Sequence, residues 1–233
     1  MLWRKGWLET KVKLLLLLGC MAFYLIVLYS MRTIASPPGP KPAAMFGLTA
    51  TILIVLLYAW LAGAGIVTQP SFQGAKGLYG STLFTLSLPV SRFRLLATRA
   101  SIGWLEMSGA IAAWCWGSWL VLPVVRGSVT AMGMCEYLVA LIVCASSLYF
   151  LSVLLATFLD DQWRMWGTIG ASGALWGLSY YRWMPASVNI FRAMGEGSPL
   201  VAHSMPWATM AFSFGLTGTL FFAALKVMQN RQY

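Results

Sequence analysis

The feature that most limits how this chain can fold is the run Leu14–Met31, LLLLLGCMAFYLIVLYSM, which contains no charged side chain. Its eighteen residues, wound as a helix at about 1.5 Å per residue, are just long enough for a hydrocarbon core of about 30 Å. A lipid-exposed backbone must satisfy its own polar groups, and an α-helix does so within one segment. Five further apolar segments follow at 45–67, 95–125, 136–159, 163–181 and 206–227. Only 9% of the residues are charged and mean hydropathy is +0.74, whereas soluble domains carry roughly 25% charged residues. The expectation is an all-α integral membrane protein, residues 1–233 forming one membrane domain of six transmembrane helices.

The connections have distinct characters. Residues 1–13 place Trp3, Trp7, Thr10 and Leu14 on one helical face and Lys5, Glu9 and Lys13 on the other, a pattern suited to an in-plane helix at the headgroup level. Ser36-Pro37-Pro38-Gly39-Pro40-Lys41-Pro42 cannot continue a helix and reads as a stiff loop. The stretch 69–94 is polar and basic at both ends, with an apolar centre. Residues 182–205 are interrupted by Pro185, Gly195, Gly197 and Pro199 and read as an external loop with short interfacial pieces. The run from Leu14 is followed by Arg32 and prolines, so it does not read as a cleavable leader.

The net charge of +10 would point to nucleic acid in a soluble protein, but across several spans it reads as a topology signal. With both termini inside, eleven basic residues are cytoplasmic (Arg4, Lys5, Lys11, Lys13, Lys76, Arg92, Arg94, Arg99, Arg164, Lys226 and Arg231). Five lie opposite, at Arg32, Lys41, Arg126, Arg182 and Arg192. This bias places both termini and the central loop in the cytoplasm, with membrane lipids as the surroundings and no nucleic-acid partner.

The motifs of soluble catalysis are missing. No GxxxxGK[ST] run can cradle a nucleotide phosphate; His203 is the only histidine, and Cys20, Cys115, Cys135 and Cys144 show no metal or disulfide spacing. Neither a catalytic residue nor a metal site is expected. Asp160-Asp161 reads as a helix cap. Glu106 is the one acidic residue well inside a span, where a carboxylate costs roughly 2.5–3.5 kcal/mol on insertion scales and calls for a partner or a polar cavity. Arg99 lies two turns away on the same face, together with Gly103, Ala110, Ala113 and Gly117; this face is expected to look into protein. Gly167, Gly170, Gly173 and Gly177 leave a groove along the fifth span, a place for another helix within or between chains.

The amphipathic start LWRKGWLE, the six spans and the segment Thr85-Leu86-Ser87-Leu88-Pro89-Val90-Ser91-Arg92 before the third span together resemble the permease subunits of ABC-2 type transporters. The resemblance covers essentially the whole chain, and LSLPVSR is its most specific part. It implies a bacterial cytoplasmic membrane, a second permease, and a separate cytoplasmic ATPase that holds ATP and Mg. It also implies a coupling helix between spans two and three: Gly77, Leu83, Phe84, Leu86, Leu88 and Pro89 would meet the ATPase, flanked by Arg92 and Arg94. Spans one, two and five would wall the pathway, and the cargo would be a lipid, drug or other amphipathic molecule moved outward. The family's acidic run upstream of the coupling helix is replaced here by Phe72-Gln73-Gly74-Ala75-Lys76-Gly77. The residues by themselves leave two alternatives open: a stand-alone carrier or channel using Glu106, and a scaffold that recruits a soluble protein and moves nothing.

Overall fold

The structure, a computed structural model, describes residues 2–32, 41–62, 91–157, 159, 161–181 and 183–230. Every regular element among them is a helix: α1 (Leu2–Arg32), α2 (Lys41–Leu61), α3 (Arg92–Val121), α4 (Pro123–Ser128), α5 (Ala131–Ala156), α6 (Asp161–Tyr180), α7 (Ile190–Met194), α8 (Pro199–Ala202) and α9 (Trp207–Asn230). Three apolar stretches are long enough to cross a membrane: Thr10–Ser30, Ala131–Ala156 and Trp207–Asn230. The other expected spans are helical too, but α3 carries Arg92, Arg94, Arg99 and Glu106 in its first half, α6 is studded with polar residues, and the apolar part of α2 described here is the shorter Thr49–Leu61. The coupling segment expected over 69–94 falls outside the described residues as far as Val90, and with it Gly77, Leu83, Phe84, Leu86, Leu88 and Pro89.

Several boundaries differ from the expectation for local reasons. The surface helix expected over 1–13 and the span expected over 14–31 form one continuous α1, because no proline or glycine stands between Glu9 and Leu14 to interrupt the i→i−4 ladder. The third span stops at Val121, ahead of Pro123: the proline ring drives Leu122 out of the helical region, to φ −99° and ψ 99°. Pro123 then opens α4, where a missing N–H costs nothing. α5 begins before Glu136, at a cap in which Thr130 Oγ1 accepts from Gly133 N at 3.1 Å.

α5 is the centre of the bundle. It packs against α2, α3, α6, α7, α8 and α9, whereas α1 packs mainly on α3. Tyr137, Leu141, Cys144, Tyr149 and Val153 of α5 are completely buried. The short pieces expected within 182–205 include α7 and α8, and α7 packs onto one end of the bundle: Ile190, Phe191 and Met194 are buried, and Tyr137 Oη donates to Met194 O at 3.2 Å. Asn189 Oδ1 caps α7 by accepting from Arg192 N at 2.9 Å and also accepts from Ser179 Oγ at 2.7 Å, tying this segment to α6.

The polar side chains face inward and many large apolar ones face outward. α6 shows this most clearly: Arg164, Thr168 and Ser172 are buried, while Trp163, Trp166, Trp176 and Tyr180 are exposed. In water this arrangement would be inverted; in lipid it is the stable one, and Arg164, Thr168 and Ser172 each find a partner on a neighbouring helix.

Close approach of α3 to α2 and α5 depends on Gly103. A Cβ there would collide with Tyr149 Oη and come within 3.3 Å of Leu61 O, disturbing the bond that Tyr149 Oη donates to Ala100 O at 2.8 Å. Gly103→Val should therefore destabilise the bundle by about 1–3 kcal/mol. Gly109→Ala, on the open side of the same helix with nothing within 4 Å, should unfold at or above the wild-type temperature. Thermal unfolding of both variants in mild detergent checks the pair.

Candidate functional site

Glu106 and Arg99 are both buried, at 6% and 8% exposure. Glu106 takes its hydrogen bond from another helix: Thr10 Oγ1 of α1 donates to Glu106 Oε1. Its second oxygen, Oε2, is buried without a hydrogen-bond partner. An ionised carboxylate accepts at both oxygens, so half of the acceptor capacity of this group is unspent.

α1 and α3 run parallel, as Thr10 meets Glu106, Tyr24 stacks near Trp114 with ring centroids 5.8 Å apart, and Leu25 reaches Gly117. Thr10 is also the first residue of the apolar run of α1. Glu106 is thus level with the edge of that run and not with its middle. The cost of a carboxylate falls toward the membrane surface, which gives this acidic residue a tolerable place in an apolar chain.

Above this level the two helices part to leave an open cleft of about 650 Å³. One wall is Trp7, Leu14 and Leu18 of α1; the other is α3 from Ile102 to Ala113, with Glu106 among its lining residues. The small residues on α3 create the space: nothing lies within 4 Å of a Cβ placed on Gly109. Of the face expected to look into protein, Arg99, Gly103, Glu106 and Ala110 are buried, whereas Ala113 is exposed to the cleft. The volume is within the range of drug-sized ligand sites, and an apolar lining with one fixed polar group is their usual composition.

Of the glycines of α6, a Cβ on Gly167 would meet Leu159 at 3.3 Å, whereas one on Gly170, Gly173 or Gly177 would touch nothing within 4 Å, so within the described residues no helix fills the groove along these three. Within the described chain α6 packs through its polar stripe. Arg164 Nη1 donates to Ala59 O at 3.1 Å, Thr168 Oγ1 donates to Ser152 Oγ at 3.1 Å, and Tyr58 Oη donates to Ser172 Oγ. That stripe was legible as Arg164, Thr168 and Ser172 at i, i+4 and i+8, a spacing the glycine pattern overshadowed.

Of the two arginines expected beside a partner, Arg92 is engaged inside the chain. Its Nη1 donates to Met228 O at 2.9 Å and to Gln229 O at 2.7 Å, neutralising the carbonyl end of α9. Arg94 is exposed. Among the described residues no three His, Cys, Asp or Glu side chains converge as metal ligands; Cys115 and Cys144 are buried, Cys20 and Cys135 exposed. His203 is exposed on the loop after α8, at φ 50°. No protein-family model, no curated protein and no solved structure matches this chain.

Among the described residues Thr10 is the one donor to the carboxylate, so Thr10→Val should leave both Glu106 oxygens without one. The expected loss is about 1–3 kcal/mol, the cost of abandoning a buried charged acceptor. A fall in the unfolding midpoint for Thr10→Val, largely removed in Thr10→Val/Glu106→Leu, checks the pairing; additive losses would contradict it.

Proposed function

We propose that this chain is the permease subunit of an ABC-2 type transporter, moving an amphipathic substrate outward across a bacterial cytoplasmic membrane. In this reading it has six spans, with the termini and the central loop in the cytoplasm. Two permeases pair, and a separate ATPase carrying ATP and Mg docks on the loop. Hydrolysis of ATP on the partner is the source of energy, and this chain contributes the path.

The observation that carries the reading is how the loop joins the bundle. The LSLPVSR segment runs into α3: its Ser91 Oγ accepts from Arg94 N at 3.3 Å and caps the helix, and its last residue, Arg92, is the first of α3. Leu86, Leu88 and Pro89, expected to meet an ATPase, stand within five residues of Ser91 in the sequence, and Ser91 caps a 30-residue helix that also forms a wall of the cleft. An α-helix is stiff along its axis, so a displacement at Ser91 is delivered about 21 Å away at Glu106. Arg92 adds a second tie, from the same end of α3 to α9.

A second reading is favoured by the buried, half-satisfied carboxylate: a stand-alone carrier in which Glu106 binds a cation or a proton and no ATPase is needed. The two differ in whether a soluble partner is retained. Tagged protein purified in mild detergent should carry an ATPase identified by mass spectrometry, and Leu86→Asp/Leu88→Asp should lose it while keeping the wild-type unfolding temperature. Wild type that binds no ATPase, yet takes up substrate in vesicles without ATP, would replace the permease reading with the carrier.

A further inference from the structure

We propose that the α1–α3 cleft binds a lipophilic ammonium, with the charged nitrogen at Glu106 Oε2 and the apolar body along Leu14, Leu18, Leu105 and Gly109. This names the substrate class of the site on which the permease reading rests. The cleft is lined almost entirely by apolar residues. Its walls are aliphatic, and Glu106 is the one charged group among its lining residues. The carboxylate is more than nine-tenths buried, with Oε1 committed to Thr10 and Oε2 without a donor.

A buried anion with an unfilled acceptor position is best satisfied by a cationic N–H donor, because such bonds are roughly twice as strong as neutral ones. A neutral amide or alcohol would fill the same space with less gain. An anion would be repelled. Depth agrees with charge: Glu106 is level with the start of the apolar run of α1, and the cleft extends from there along α1 to Leu18, about 12 Å further. An amphiphile in a bilayer already has this orientation, head at the edge and tail inward. Trp7, half exposed and lining the same cleft, offers a ring face to the same cation.

The test uses full-length protein in lipid nanodiscs with no ATPase added. The probe is a dansyl-alkylammonium; its N-acetylated analogue, equal in length but uncharged, is the control. Wild type should bind the ammonium saturably and at least tenfold more tightly than the analogue, and Glu106→Gln should abolish that preference. Gly109→Leu, at a position on the open side of the cleft where an added Cβ meets nothing within 4 Å, should weaken both ligands at least tenfold while leaving the Thr10–Glu106 bond in place. Should Glu106→Gln fail to fold, the wild-type preference and the Gly109→Leu loss still decide. Equal affinity for the two probes, no saturable binding, or unchanged binding in Gly109→Leu would overturn the proposal. Failure here with an ATPase still retained by the purified protein removes the ligand assignment alone; binding without any ATPase removes the permease reading alone.

Discussion

The packing depends on one constraint: between apolar helices surrounded by lipid, aliphatic contacts gain little over contacts with lipid tails, so polar contacts and close approach decide which helices meet. The described bundle follows this closely. Trp104 Nε1 donates to Ser146 Oγ at 2.8 Å and Tyr149 Oη to Ala100 O, joining α3 to α5. Ser213 Oγ donates to Val143 O at 3.1 Å, joining α9 to α5. Arg164, Thr168 and Ser172 join α6 to α2 and α5. α5 is the hub because it supplies polar partners on three sides: Ser146, Ser152 and the carbonyl of Val143.

α1 is the exception. Most of its apolar surface is exposed, with Leu15, Leu16, Phe23 and Ile26 all more than half accessible. Its polar bond to α3, Thr10 to Glu106, lies near one end, and beyond it the helices part around small residues. Further along, Tyr24 against Trp114 and Leu25 against Gly117 bring the two helices together again.

Much of the fold was legible in the sequence because apolar runs and prolines act locally. The long helices are where hydropathy puts them, and Pro123 ends α3 as its ring requires. What was not legible came from contacts between distant residues. Glu106 stood out as costly, yet nothing in its neighbourhood points to Thr10, 96 positions away; Arg99 was the nearer candidate on spacing alone. The polar stripe of α6 and the burial of α7 likewise depend on partners from other helices. Arg92 carried a charge suited to a docking surface, and its capture by the carbonyls of α9 depends on where the last helix ends. The basic central loop was legible only as a pattern and a resemblance.

The permease role proposed above requires α3 to carry a displacement from Ser91 to the cleft. Its most direct test is the rate of ATP hydrolysis by the co-purified partner in proteoliposomes, with and without this chain. Coupling through α3 predicts that the chain raises the rate several-fold and that a proline at Ala97, which would break α3 between the loop and the cleft, cancels the rise while the partner remains bound. An ATPase rate indifferent to the presence of the chain, or one raised equally by the Ala97→Pro variant, would contradict it.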